Sequence, residues 1–164
     1  MSRGFVKEDD LERAGTDLPE RPISSHLNYV TTAGYAQLQA KAAQLEQDRL
    51  RLSTYKDDAS AQQKLAMIER DLRYVTARLE NALVTIPNKS AQTALFGATV
   101  AVEDDEGKVY QFMIVGEDEA DIAQHKVSWV SPLAKALIGH KVGESVTWLR
   151  PAGNTVLEIT AIHY

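Results

Sequence analysis

No cysteine occurs anywhere in the 164 residues, which excludes a disulfide framework and any thiolate zinc site. That fits a reducing compartment without proving one. Positive charge is also short. Eighteen Lys and Arg face 23 Asp and Glu, and the formal net charge of -5 argues against a general nucleic-acid binder, which needs a basic face. No apolar run approaches the length of a membrane span. The stretch Met1 to Asp10 has one aromatic and several charges but no apolar core, so it does not read as a secretory signal. A soluble, cytoplasmic protein without membrane contact is the expectation. The histidines His26, His125, His140 and His163 show no ligand spacing, so no metal bound by the chain alone is expected. No Ser-His-Asp constellation and no glycine-rich phosphate loop is legible, and an independent enzyme is not expected. The few aromatics, among them Tyr110, Phe112, Trp129 and Trp148, read as core or sheet-face residues.

What the chain does have is a heptad pattern. From Leu65 the apolar positions run Leu65, Ile68, Leu72, Val75, Leu79, Ala82 and Ile86, in alternating steps of three and four. Tyr35, Leu38, Ala42, Leu45 and Leu52 keep the same phase upstream, with Arg49 on the seam. The midpoint of a hairpin with equal arms falls at Tyr55-Lys56-Asp57-Asp58-Ala59-Ser60, and Asp57 and Asp58 then sit at its tip. The alternative for such heptads is a parallel coiled coil that associates with a second copy. The central break at Asp57-Asp58 favours the hairpin and a monomer. The pattern predicts helices from Thr32 to about Tyr55 and from about Ser60 to about Val84, with a threonine of Thr31-Thr32 as first cap and Pro87 as the stop.

Three regions follow: residues 1–29 as a flexible N-terminal extension, 30–87 as the coiled-coil hairpin, and 88–164 as a small sheet domain. The extension carries Pro19 and Pro22, scattered charge and no strand or helix period. In the last region Ala98 to Val102 and Val109 to Val115 read as strands around the turn Asp104-Asp105-Glu106-Gly107. Val127 to Val130 is a short strand. Ser131 caps a helix with Pro132 at its first position, Leu133 on its buried face and Gly139 at its end. Ser145 to Leu149 and Thr155 to Ile162 complete the sheet. The fold class is α+β: an antiparallel helical hairpin, then a small antiparallel sheet with one short helix.

Three motifs of this region, in order and spacing, resemble the C-terminal domain of the bacterial Gre factors: Phe96-Gly97-Ala98-Thr99-Val100, Val115-Gly116-Glu117-Asp118-Glu119-Ala120-Asp121, and Ser131 to Gly139. Arg73-Tyr74-x-Thr76-x-x-x-Glu80-Asn81 and Thr31-x-x-Gly34-Tyr35 are similar to the GreB branch. The resemblance covers roughly residues 30–164. It implies an FKBP-like C-terminal domain and a transcription elongation factor that binds RNA polymerase at its secondary channel. It also implies stimulation of the polymerase's own cleavage of backtracked transcript. The coiled coil would pass down the channel. The tip carboxylates Asp57 and Asp58 would help hold the polymerase's second Mg2+, a hard cation that prefers oxygen ligands. Asp118, Asp121, Ser131, Pro132 and Leu133 would lie at the docking surface. Arg49, Arg51, Lys56 and Lys64, near the tip, would meet the nascent RNA 3′ end or the channel wall, or else are the solvated flank of a coiled coil.

The tip departs from the family pattern. The family carries Asp-x-x-Glu followed by Asn-Ala, whereas here Ala61 stands three residues after Asp58 and Ser60 three after Asp57. Judged against the matching flanks, the hairpin is also shorter than the family's by more than a helical turn per arm. These departures keep open a non-cleaving, polymerase-binding regulator resembling the regulator of nucleoside diphosphate kinase. From another class, an FKBP-like peptidyl-prolyl isomerase or chaperone stays open, as does a plain coiled-coil scaffold.

Overall fold

The computed structural model describes residues 18–164. The part of the expected flexible extension that falls on residues 1–17 lies outside the described residues. The chain divides into two compact units. One joins the stretch ending at Ser25 with Leu38–Asn81, and the other joins His26–Gln37 with Ala82–Tyr164.

In the first unit, helix α1 (Thr32–Leu52) continues from residue 38, and helix α2 (Ala59–Glu80) follows a short connection. Their Ala, Gln, Leu and Arg content favours helix. At 21 and 22 residues each is about 32 Å long at 1.5 Å per residue. Leu38, Leu45 and Leu52, seven apart, are all buried. On α2 the seam is less enclosed: Val75 is buried, whereas Leu65, Ile68, Leu72 and Leu79 are half-buried. A helix with few neighbours cannot enclose its whole apolar stripe.

The second helix ends earlier than the heptads predict. Asn81 caps α2, its N–H donating to the carbonyls of Ala77 and Leu79. Ala82–Val84 then forms strand β2, paired in parallel with β1 (Asn28–Val30). Thr85 N–H extends the pairing to the Val30 carbonyl at 2.9 Å. Ala82 and Ile86 therefore leave the seam, and Ile86 is 71% exposed. The β-branched run Val84-Thr85-Ile86 accepts extended backbone readily, and β1 offers it hydrogen bonds that no local signal announces. Residues 26–37 and 82–87 accordingly group with the sheet domain, so the division between units differs from the expected boundaries at 29/30 and 87/88.

The sheet of the second unit has five strands in the order β5-β4-β3-β7-β6. They are β3 (Thr99–Asp104), β4 (Val109–Val115), β5 (Lys126–Ser128), β6 (Ser145–Trp148) and β7 (Thr155–His163). The sheet is mixed rather than wholly antiparallel, because β4 and β5 run parallel. A parallel pair needs a crossover, and residues 116–125, with a 3-10 turn at Ile122–Gln124, provide it. The β3–β4 turn is held by Asp104, whose carboxylate accepts from Glu106 N–H at 3.0 Å and Lys108 N–H at 2.8 Å. Gly107 there has φ 82°, in the left-handed region that favours glycine. Helix α3 (Pro132–Leu137) lays Leu133, Ala134 and Leu137 into a core with Val100, Val102, Ile114, Leu157 and Ile159. Phe112 belongs to this core, and Tyr110 and Trp148 pack against it and each other with ring centroids 5.9 to 6.1 Å apart.

Candidate functional site

The α1–α2 connection is exposed from Thr54 to Ser60, yet its backbone is well tied. Tyr55 N–H reaches the Leu52 carbonyl at 3.0 Å. The Gln62 amide donates to the Lys56 carbonyl at 3.1 Å. Asp58 is the N-cap of α2: its Oδ1 accepts from Ser60 N–H at 2.9 Å, satisfying one of the free donors of the first turn. Asp57 stands beside it, exposed. The two carboxylates are thus presented together, one engaged in holding the helix start. Of the two positions where the family pattern asks for glutamate, Ser60 is exposed and Ala61 is buried. Among the described residues no three His, Asp or Glu side chains gather closely enough to hold a metal ion. The tip offers carboxylate oxygens, the hard donors that a cation such as magnesium prefers.

The basic residues near the tip divide into two kinds. Arg49 is forked onto Glu46, with Nε to Oε2 at 3.1 Å, and Glu46 with smaller help from Glu69 holds its guanidinium charge more firmly. Arg49 in turn holds the Glu46 carboxyl below its usual range. Arg51 lies 3.6 Å from Asp48. These two cations already have carboxylate partners one turn away on their own helix. Lys56 and Lys64 are exposed.

The residues expected at a docking surface have distinct roles. Asp121 accepts from Ala123 N–H at 3.1 Å and caps the 3-10 turn. Ser131 accepts from Ala134 N–H at 3.2 Å and caps α3, with Pro132 at its first position. Asp118 and Pro132 are exposed. Leu133 is only 3% exposed, so its side chain belongs to the core and offers no surface for docking.

One cluster escapes sequence reasoning. Glu119, in the middle of the acidic run Glu117 to Asp121, is only 7% exposed. Its Oε1 accepts from the Thr31 hydroxyl at 2.5 Å, and its Oε2 lies 3.6 Å from Lys126 Nζ. Thr31 Oγ1 in turn accepts from Gly34 N–H at 2.9 Å, which makes it the N-cap of α1. A buried carboxylate at a helix N-terminus complements the helix dipole. Gly34 lets the Glu119 carboxylate approach, because a Cβ there would sit 2.5 Å from Glu119 Oε1 and force it to shift. Next to it Gly116 lets the chain pass Tyr29, whose carbonyl oxygen would be 2.4 Å from a Cβ. The Tyr29 ring meets Trp129 edge-on at 5.0 Å. The Thr31-x-x-Gly34 and Gly116 to Asp121 motifs were both visible. Only their meeting across 88 residues was not.

Residues 89–164 match the family model described as transcription elongation factor GreA/GreB, C-terminal. The chain is similar to transcription elongation factor GreB of Neisseria meningitidis, at 34% identity over 153 residues, 84% of this chain and 94% of that protein. It is also similar to transcription elongation factor GreA of Thioalkalivibrio sulfidiphilus, at 41% over 109 residues, 64% of this chain and 68% of that protein. Among solved structures, GreA factor homolog 1 (Gfh1) of Thermus thermophilus is 28% identical, covers 85% of this chain and 100% of its own, and has a TM-score of 0.42. Identity sustained over nearly the whole length of the Neisseria protein, with the three C-terminal motifs in place, shows that the chain belongs to the GreA/GreB family of transcription elongation factors.

Proposed function

We propose that this elongation factor binds RNA polymerase at its secondary channel and acts mainly by occupying that channel, with weak or no stimulation of transcript cleavage. The sheet domain supplies the dock, and the α1–α2 arm carries Asp57 and Asp58 inward. The observation that carries this reading is the tip chemistry. Asp58 is engaged as a helix cap, and position 61 is buried and occupied by alanine. Whatever weak cleavage the factor stimulates would draw on Asp57 and the second oxygen of Asp58, which would hold the polymerase's loosely bound magnesium. That ion, when bound, supplies the Lewis acidity that activates a water. Asp58 keeps the start of α2 and thereby the direction of both carboxylates. Lys56 and Lys64, exposed beside the tip, are the cations that meet RNA phosphate or an acidic channel wall, with Arg49 and Arg51 joining them when their exposed pairs with Glu46 and Asp48 open.

The test is cleavage of transcript in a stalled, backtracked elongation complex, with polymerase binding measured in parallel. Saturable binding with cleavage close to that of polymerase alone is the expected result. Strong cleavage that vanishes in Asp57→Ala/Asp58→Ala would make the chain a full cleavage factor and overturn the occupancy reading. Failure to bind polymerase would overturn both.

A further inference from the structure

Just before β1, the sequence Pro19-Glu20-Arg21-Pro22 makes contacts that neither the helical hairpin nor the sheet requires. Glu20 accepts twice from Arg73 Nε–H of α2, at 3.0 and 3.1 Å, and again from an Arg73 terminal nitrogen. Arg21 lies with its guanidinium carbon 3.8 Å from the centroid of the Tyr74 ring, and its Nη1 donates to Asp71 Oδ1 at 3.3 Å. Two neighbouring residues of the segment thus engage Asp71, Arg73 and Tyr74, adjacent groups on one helix. The flanking prolines restrict the backbone before contact, so less entropy is lost on docking.

We infer that residues 18–25 form a releasable strap on α2 that masks Arg73 and Tyr74 and restrains the arm's engagement with its partner. The inference rests on the proposed binding to polymerase. The exposures say that the strap is built to let go. The side chains of Glu20, Arg73, Arg21 and Asp71 keep 62, 55, 41 and 27% of their surface in water. Pairs this exposed are individually weak and screened by salt, whereas a structural brace would be buried. The chemistry also says what would replace the strap. A guanidinium fork that accepts a carboxylate bidentately, beside a ring that accepts a planar cation, fits a carboxylate-bearing protein surface with an arginine nearby. The Arg73 fork also holds the Glu20 carboxyl below its usual range. Arg73 lines a shallow groove of about 420 Å³ with Glu69, Leu72, Thr76, Ala77 and Glu80, so the masked face continues into a receptive surface.

The experiment compares the full chain with Glu20→Ala/Arg21→Ala, which leaves the surface of α2 intact. Two quantities are read: the NMR signal and exchange rate of Arg73 Nε–H in the free protein, and the affinity for polymerase at low and raised salt. The expected result is faster Arg73 Nε–H exchange in the variant, with binding about threefold to tenfold tighter at low salt. The difference should shrink as salt rises. An unchanged Arg73 signal would overturn the strap itself. Equal or weaker binding by the variant would overturn the masking role. If wild type and variant both fail to bind polymerase, the proposed function falls and masking with it, while the Arg73 signal still reports separately whether the strap contact exists.

Discussion

Gly34→Ala sets two effects of opposite sign against each other at the start of α1. In an ordinary helix interior the change would stabilise by about 0.5–1 kcal/mol, because alanine loses less backbone entropy. Here the added Cβ would lie 2.5 Å from Glu119 Oε1 and 3.2 Å from Thr31 Oγ1, where ordinary contact begins at 3.4 Å. The Glu119 carboxylate would have to retreat by about 1 Å, enough to break its bond from the Thr31 hydroxyl. Losing a buried hydrogen bond to a charged group costs about 1.5–3 kcal/mol. The net expectation is a loss of about 1–2 kcal/mol. Urea denaturation followed by tryptophan fluorescence is the suitable assay, because Trp129 and Trp148 both belong to the unit that contains Thr31, Gly34 and Glu119. Glu119→Ala provides the control. With the carboxylate gone only Thr31 Oγ1, 3.2 Å from the Cβ, has to give by a few tenths of an ångström, and Gly34→Ala in that background should cost less than in the native one, by about 1–2 kcal/mol. A Gly34→Ala protein as stable as wild type in the native background would refute the reasoning, since it would mean that Glu119 yields at no cost.

Gly116→Ala should be worse, about 2–3 kcal/mol, because its Cβ would meet backbone, the Tyr29 carbonyl at 2.4 Å; the same denaturation assay reads it. Asp58→Ala should cost about 1 kcal/mol through loss of the cap, whereas Asp57→Ala should change stability by less than about 0.5 kcal/mol, both read by circular dichroism during unfolding. Ser60→Glu, at an exposed first-turn position three residues after Asp57, should raise transcript cleavage by adding a carboxylate that is not engaged as the helix cap; an unchanged rate would mean that the tip does not reach the metal. For the strap, Arg73 depresses the Glu20 pKa, so its contribution is complete above the ordinary carboxylate range and disappears as pH falls through the depressed value. The Arg73 Nε–H signal should lose its protection on acidification through that range.

Local signals made much of the architecture legible. Helix α1, most of α2, the α3 cap at Ser131 and the β3–β4 turn at Asp104 each depend on residues within a few positions of one another. The exposed tip at Asp57-Asp58 followed from the symmetry of the heptads. The errors arose where a distant partner decided. Ala82 and Ile86 continue the heptad in sequence, but β1 draws Ala82–Val84 into a parallel pair. Leu133, which periodicity put on the buried face of α3 and the resemblance put at a docking surface, lies in the core. The strap at Glu20-Arg21 had no period to reveal it.

By itself the sequence determined the α+β class, the two helices, the acidic tip and the family, because periodicity, capping residues and contiguous motifs are properties of neighbouring positions. The tertiary structure alone decided where α2 stops, that β4 and β5 run parallel, and that Glu119 leaves an acidic run to seal the start of α1. The physical reason is that burial and strand pairing depend on what lies opposite in space. A glutamate reads the same in water or against Thr31 and Lys126 until the chain between them has folded.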